Sequence, residues 1–518
     1  MNSKPNIIFI MADQLAAKSV GCYGSGVDST PTLDKLAAEG VRFERAYAHF
    51  PVCAPNRASI LTGRSVSVHG ITTNNLVLTN DNPTYIQVLK MNSYRTAGFG
   101  KFHHTPMQQP LPEDFSYLGF DESVPTEDTK LGPWLDWIEK EYPEYYERAL
   151  AMCWPMQYLK EYGKEKRNLM PAWEKAYKNI LQPIQQNSEW QAMYTSPLPA
   201  KLHQTTYVTD LALDFMKRHL ESHQDTPFFC NISYIDPHDP YDPPVPYDSM
   251  FKPEDMPDPI PNMWKERGCK LLEHTQDWLN CRMLDGNEKL VKKLRALYHG
   301  SIRFIDDQIN RIVDFVSREG LWQNTILIFT TDHGDMMGDQ GLMFKGEMHY
   351  DGSARCPLII YGGNIKRDFI SERLTSSLDL FPTFCDIAGA IIIPPVEGKS
   401  FAEHIFLNPQ NDKNSSEWEA VTIQSNSARS IITDDGWRIT VFDEDGKGEL
   451  FDLKADPQEL KNLYYDINWI TKRCELMEKM SRAYMKSNKV QQYRNLPLIH
   501  NNKCIVGNGF DLYPTFTS

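Results

Sequence analysis

Apolar residues along the chain gather in short unbroken runs, each closed by polar or glycine-rich punctuation. Asn6-Ile7-Ile8-Phe9-Ile10-Met11-Ala12 is the first, and residues 226–234, 325–331 and 358–361 are others. A strand buried on both faces reads as continuous apolar sequence rather than as an alternation, so these runs predict core strands. Residues 94–100 are expected to form a further one. Between them the period changes to that of a helix. Residues 30–40 carry Thr30 as an N-cap, Pro31 in the first turn and Gly40 as a stop. Residues 290–319 repeat Leu297, Ile302, Ile305, Ile309 and Ile312 along one face before Gly320. Strands alternating with helices predict an α/β protein.

Two regions break this rhythm. Residues 105–200 are rich in charge and in aromatics (Trp134, Trp137, Tyr142, Tyr145, Tyr146, Trp154, Tyr158, Tyr162). They are expected to form a helical insertion over the ligand edge of the sheet, its aromatics packing the insertion rather than walling a substrate. Residues 408–416 turn polar and suggest a linker. Beyond it, short strands at 429–433, 437–441 and 449–453 are separated by Asp434-Asp435-Gly436 and Asp445-Gly446-Lys447-Gly448, which suit hairpin turns. The expected division is a catalytic domain over 1–407 and a C-terminal subdomain with its tail over 417–518.

Composition narrows the function. At 518 residues the chain is long enough for two domains, with 41% hydrophobic and 24% charged residues as in ordinary globular proteins. A formal charge of -14 argues against nucleic-acid or anionic-membrane partners, and any anion pocket must be positive against that field. No apolar run approaches the roughly 20 residues of a membrane span. The N-terminus carries no signal-peptide pattern. A cytoplasmic location is expected for the chain as given, or a periplasmic or secreted one for a mature form. Ten scattered cysteines describe free thiols rather than a disulfide framework.

The chemistry-bearing residues sit where the strands end. Asp13 and Gln14 follow the first strand and offer the hard oxygens that Mg²⁺ or Ca²⁺ requires. In Cys53-Ala54-Pro55-Asn56-Arg57, Pro55 suits a first helical turn and Gly63 a stop. Cys53 then lies at a helix N-terminus, which favours an anion, with Arg57 one turn on along the same face. Lys101 and His103 follow residues 94–100. His238 is held among prolines in Asp236-Pro237-His238-Asp239-Pro240, which suits a general acid. Asp332-His333-Gly334-Asp335 follows the strand at 325–331, and Lys345 comes shortly after. Each of these alone also reads as a buried thiol, a strand-end turn, a solvated lysine or a turn salt bridge.

Taken together, the strings resemble the sulfatases, a branch of the alkaline phosphatase superfamily. Cys53-x-Pro55-x-Arg57 with Leu61-Thr62-Gly63-Arg64 resembles their C-x-P-x-R signature. Asp13-Gln14, the helix string at 31–40, Gly100-Lys101-Phe102-His103, Pro237-His238, Thr331-Asp332-His333-Gly334 and Tyr350-Asp351-x-x-x-Arg355-x-Pro357 follow in family order. The resemblance implies a large mixed, mostly parallel sheet sandwiched by helices, with a smaller C-terminal α+β subdomain. It implies conversion of Cys53 to formylglycine by a maturation enzyme, and one divalent metal on Asp13, Gln14, residue 53, Asp332 and His333. Ca²⁺ is the first choice, with Mg²⁺ or Mn²⁺ also accommodated. Arg57 and Lys101 would stabilise charge, His103 would act as base, and His238 or Lys345 would assist the leaving alcohol. Arg355 reads as structural, and His349 has no assigned role. The substrate would be a sulfated sugar or a small sulfate ester, choline-sulfatase-like or glycan-sulfatase-like, with homo-oligomerisation left open. The alternative is a phosphonate monoester or phosphodiester hydrolase of the same superfamily, and behind it a non-catalytic binding protein with unmodified Cys53.

Overall fold

The first apolar run forms strand β1 (Asn6–Ala12) in the middle of the main sheet of this computed structural model. The structure describes residues 4–107, 109–112, 114–262, 284–391, 396–406, 418–444, 446–491, 499–500 and 503–504. The polar segment 408–416, Asp445, Cys269, Cys281 and most of the tail beyond 491 therefore lie outside the described residues.

The other strands of this sheet are β2 (Val41–Phe43), β4 (Arg95–Gly100), β5 (Glu122–Pro125), β6 (Phe228–Ser233), β7 (Thr325–Thr331), β8 (Leu358–Gly362) and β9 (Phe369–Ser371), while β3 (Ala46–Tyr47) pairs elsewhere. Their order is β5-β4-β6-β1-β7-β8-β2-β9. β1 runs parallel to β6 and β7, with Ile7 opposite Phe229 and Ile326. β8 runs antiparallel to β7 and β2, which makes the sheet mixed.

The continuous apolar runs have a direct cause: both faces of the sheet are covered. Ile7, Phe9 and Met11 with Ile326 and Ile328 join one core, together with Phe381 and Phe384 of helix Leu380–Ile387. Ile8, Ile10 and Ala12 with Leu327 and Phe329 join the other. There they meet helix Gln204–Ser222 through Phe215 and Met216, and helix Glu288–Arg318 through Leu294, Tyr298, Ile302, Ile305, Ile309 and Ile312.

Two expectations need correcting. Thr30 makes no side-chain cap on helix Pro31–Glu39. Its hydroxyl is engaged by Gly21 N–H and Asp34, and the carboxylate of Asp306 takes the N–H groups of Thr32 and Leu33 at 2.8 and 2.9 Å. Nor are residues 105–200 wholly helical, because β5 lies within them and pairs with the edge of β4. The helical remainder builds its own core around Trp134, Leu135, Ile138, Leu150 and Tyr162, with Trp137, Tyr142 and Tyr158 packed against it.

Strands β11 (Ala420–Gln424), β12 (Ala428–Thr433), β13 (Trp437–Phe442) and β14 (Gly448–Asp452) form a separate antiparallel sheet; the short β10 (Thr375–Ser376) pairs with β3. Helix Ile470–Gln491 packs on this sheet, with Leu476 against Ile431, Ile439 and Leu450. Ala428, Phe442 and Phe451 meet Met348 and Tyr350 from the loop that follows Lys345. Arg438 is sealed in this contact: its guanidinium lies 3.3 Å from Glu449 and 3.0 Å from Glu459, over the rings of Tyr350 and Phe451. No helix among the described residues is long and apolar enough to cross a membrane.

Candidate active site

In an open parallel sheet, ligands collect beyond the carboxyl ends of the strands. Adjacent strands β4, β6, β1 and β7 deliver Lys101, His238, Asp13 and Asp332 to one such place. The cysteine string enters from the side as helix Cys53–Thr62, which ends at left-handed Gly63. Cys53 stands in its first turn with no exposed surface.

Cys53 is ringed by ligand-type atoms. Its Sγ lies 3.2 Å from His333 Nε2 and 3.8 Å from Asp13 Oδ1. Asp13, Cys53, Asp332 and His333 place their ligating atoms within 4.8 Å of one another, all buried. The remaining atoms of these side chains are held from behind. Asp13 Oδ2 faces Arg57 at 3.0 Å and Lys101 at 2.5 Å, leaving Oδ1 toward the cluster. Asp332 Oδ2 accepts from Arg57 Nε at 2.7 Å, and Oδ1 accepts from the backbone N–H groups of Gln14 and His333. His333 Nδ1 lies 3.0 Å from Gly334 O, which fixes the ring and turns Nε2 inward. Two carboxylates and one imidazole around the cysteine form a set that fits a hard divalent cation.

Arg57 differs from its expected role. Its donors are taken by Asp13, Asp332, Lys101 O and Ser233 Oγ, so it orders the carboxylates instead of facing outward as a free anion fork. Asn56, inside the same motif, donates to Asp332 O at 2.5 Å.

Gly100 explains how Lys101 reaches the floor. Its φ is 106° and a Cβ there would lie 1.9 Å from Ser233 O, so no other residue fits the turn. Lys101 Nζ then meets both oxygens of Asp128 at 2.7 and 2.8 Å. Burial would strip its proton, but Asp128, Asp13 and Cys53 outweigh burial and hold its pKa well above the ordinary lysine value. Glu127 accepts from the N–H groups of Phe102 and His103 at 3.1 and 2.8 Å, and so shapes the strand-end loop. The ring of His103 is buried, with Nδ1 4.0 Å from Asp128 and a side-chain hydrogen bond to Cys53.

On the opposite wall, His238 Nδ1 contacts Asp239 O at 2.8 Å, and Nε2 lies 2.6 Å from Lys345 Nζ. Burial and Lys345 oppose a charge on His238, but Asp239, Asp128 and Asp13 prevail and raise it to about 10. The His238 imidazole therefore stays protonated above neutral pH. Lys345 also donates to Gln14 Oε1, while Gln14 Nε2 donates to Asp335 Oδ2 at 2.6 Å. Burial would raise the pKa of the Cys53 thiol, yet Lys101, Lys345 and His333 hold it well below its ordinary value. Gln14 and His103 both adopt positive φ, 63° and 55°, a strained conformation that persists where surrounding contacts enforce it.

Thus Asp13, Gln14, Cys53, Arg57, Lys101, His103, His238, Asp332, His333 and Lys345 lie around one place, brought there by strand ends, the helix Cys53–Thr62 and the loop that carries Lys345. His349 does not: its Nδ1 meets Ser430 Oγ at 2.7 Å beneath the C-terminal sheet. Arg355 pairs with Asp351 at 2.8 Å, outside the site. Sequence reasoning missed Asp128, Glu127 and Asp335. Only Asp335 carried a signal, as the last residue of Asp332-His333-Gly334-Asp335.

Residues 5–390 match the Sulfatase family, and residues 338–486 match N-sulphoglucosamine sulphohydrolase, C-terminal. An arylsulfatase from Clostridium perfringens is 32% identical over 472 residues, covering 89% of this chain and 90% of that protein. N-acetylglucosamine-6-O-sulfatase from Bacteroides thetaiotaomicron is 26% identical over 510 residues, covering 92% and 85%. Among solved structures, the phosphonate monoester hydrolase SpPMH from Silicibacter pomeroyi shares the fold with a TM-score of 0.73 at 22% identity, covering 93% of this chain and 96% of that one. With its strand-end constellation in place and its family match running through both sheets, the chain belongs to the sulfatases, sulfuric ester hydrolases of the alkaline phosphatase superfamily.

Proposed function

We propose that hydrolysis runs through residue 53 in its formylglycine form, and that Asp13, Gln14, Asp332 and His333 hold one divalent cation, Ca²⁺ in first place. The ester is that of a sulfated sugar. Residues 1–407 act as the catalytic unit, and 417–518 brace the loop after Lys345. The observation that carries this reading is the convergence of carboxylates, imidazole and two lysines on one buried cysteine.

When present, the cation and the hydrated formylglycine supply charge neutralisation and an oxygen nucleophile. The chain's own residues do the rest. Arg57 orients Asp13 and Asp332, and Lys101 and Lys345 bind the non-bridging oxygens of the ester as charge builds on them. His238, held as the imidazolium, delivers its Nε2 proton to the departing alcohol oxygen and is left neutral beside the Lys345 ammonium. His103, whose ring lies between residue 53 and Asp128, would serve as the base that takes a proton from the group at residue 53. The sugar assignment is supported by the relationship to N-acetylglucosamine-6-O-sulfatase.

Gln14 and the fold shared with a phosphonate monoester hydrolase favour that reaction as a second reading. The Lys101–Asp128 pair on the site floor, beside His103, favours the sulfate. Mass spectrometry of the peptide containing residue 53, from protein made in its native host, is the test, followed by matched sulfate and phosphonate esters. A peptide about 18 Da lighter than the thiol form, with faster sulfate turnover, is expected. An intact thiol, or preference for the phosphonate ester, would overturn the reading.

A further inference from the structure

Gln14 has a side chain with two unlike ends, and only one of them suits a cation. The amide oxygen can ligate, whereas the amide nitrogen carries protons. The backbone of Gln14 is fixed independently of that choice. Its N–H meets Asp332 Oδ1 at 3.1 Å, and its carbonyl accepts from the Tyr298 hydroxyl at 2.6 Å. What is left to decide is the flip of the amide.

Asp335, to which the chemistry above gives no task, faces that amide. Its Oδ1 accepts the backbone N–H groups of Met337 and Phe344 at 2.9 and 2.8 Å. Its Oδ2 accepts from the Tyr241 hydroxyl at 2.7 Å and from Gln14 Nε2 at 2.6 Å. Together these donors fill the roughly four acceptor sites of a carboxylate. Asp335, Gln14 and Tyr241 have no exposed surface, a setting in which such pairing is strong and its loss costly. Asp239 Oδ1 lies 3.4 Å from the same Nε2, and the Lys345 ammonium holds Oε1. The amide nitrogen therefore faces carboxylates, and its oxygen faces the ammonium that also acts on the Cys53 thiol. Phe344, whose N–H Asp335 holds, is the residue before Lys345.

We propose that Asp335 is a positioning residue for the divalent cation: it claims the nitrogen of Gln14, so that the oxygen is the atom left for the metal, and through Phe344 it sets the loop that brings Lys345 to that oxygen. The inference rests on the metal assignment proposed above and extends it to a residue behind the ligands. It also accounts for an amide at position 14, since a carboxylate there would press a second buried anion against Asp335. Asparagine at position 335 would keep its oxygen on the two backbone N–H groups and turn its NH2 toward Gln14 Nε2. Two donors would then oppose each other, and relief by flipping Gln14 would turn its nitrogen toward Lys345 and the metal. Glutamate at position 14 undoes this fault: one oxygen accepts from the new amide, and the other stays with Lys345.

The test titrates Ca²⁺ calorimetrically into the chelator-stripped full chain, wild type and variants, after a thermal midpoint shows that each is folded. Asp335→Asn should weaken Ca²⁺ binding by about 10–100-fold. Gln14→Glu combined with Asp335→Asn should return the Kd to within about threefold of wild type, or below it. Damage to loop packing alone would leave the double variant as weak as the single one, so this recovery separates positioning from a structural role. A Kd within about threefold of wild type in Asp335→Asn overturns the inference. So does a double variant that binds Ca²⁺ no better than Asp335→Asn or, where Asp335→Asn does not fold, a double variant that does not fold either. A wild type that binds none of Ca²⁺, Mg²⁺ and Mn²⁺ overturns the metal assignment itself, and this inference with it, and the wild-type titration alone tells that failure apart.

Discussion

The Lys345 ammonium and Nε2 of His238 lie 2.6 Å apart, so the imidazole holds its proton beside a second cation. A leaving alcohol needs that proton in proportion to its basicity. His238→Ala should therefore slow alkyl and sugar sulfates by about 10²–10⁴ while slowing 4-nitrophenyl sulfate far less. Lys345→Ala, which also removes a contact to the non-bridging oxygens, should slow both esters. The rate plotted against leaving-group pKa should steepen in His238→Ala, and an unchanged slope would remove His238 from the acid role.

Asp128 grips Lys101 through both carboxylate oxygens in a fully enclosed setting. Asp128→Asn leaves a buried ammonium with Asp13 as its remaining carboxylate partner and should destabilise the fold by about 3–5 kcal/mol. Denaturant unfolding measures this, and kcat/KM should fall with it. Full stability in the variant would mean that Lys101 finds its counter-charge elsewhere.

Asp128 also shows where reading the chain stops. Strand-end residues such as Asp13, Asp332 and Lys101 were legible because the apolar runs before them are unmistakable and the fold aligns their carboxyl ends. Asp128 lies 27 residues beyond Lys101 in sequence, and the two meet only because β5 pairs beside β4. That edge strand, Glu-Ser-Val-Pro, carries no apolar run, so it was absorbed into an expected helical insertion. The cap on Pro31–Glu39 escaped for a similar reason. Thr30 looked sufficient, whereas the acceptor is Asp306, more than 270 residues away in the sequence.

Arg438 reaches from the C-terminal sheet to the loop that follows Lys345. Through Glu449, Glu459 and the ring of Tyr350 it fixes the loop that begins at Lys345, and Glu459 also accepts from Asp351 N–H at 2.9 Å. Arg438→Ala should lose about 3–5 kcal/mol, because it strands two buried carboxylates. It should also lower kcat at temperatures where the variant is still folded. Unfolding curves and turnover at 20 °C, taken on the same preparation, check both parts.

Acid should weaken the fold through histidines held neutral. Burial drags His49 down to about 4, and burial with Arg295 brings His299 to about 3. The unfolded chain binds protons at these rings near pH 6.5, well before the native chain does, so falling pH favours unfolding. This stability is complete above about pH 7 and is lost as pH drops from 6.5 toward the folded values. For His299 alone the loss between pH 7.5 and 5 is about 2 kcal/mol. The thermal midpoint should therefore fall less steeply with acid in His299→Gln than in wild type, and parallel curves would contradict the assignment.

Removal of divalent metal should lower the thermal midpoint, and Ca²⁺ at about 100 times its Kd should restore about 2.7 kcal/mol. Asp332→Asn should bind substoichiometric metal and show little of this response. Equal responses in both proteins would place the ion elsewhere.

Cys53 has no exposed surface once helix Cys53–Thr62 seats against the strand ends. On the formylglycine reading proposed above, a maturation enzyme would have to grip that thiol before the helix closes over it. On that reading, chemistry at residue 53 would belong to the chain's early life at the ribosome, while Arg438 and the sheet that packs on the Lys345 loop are still to be made. Folding that outran this encounter would leave a well-ordered protein still carrying the thiol. Fully folded thiol enzyme mixed with the maturation enzyme should stay inactive, whereas the same chain presented unfolded should be convertible. The fraction of active molecules in a cell would then report a race between two clocks rather than the concentration of the maturation enzyme alone.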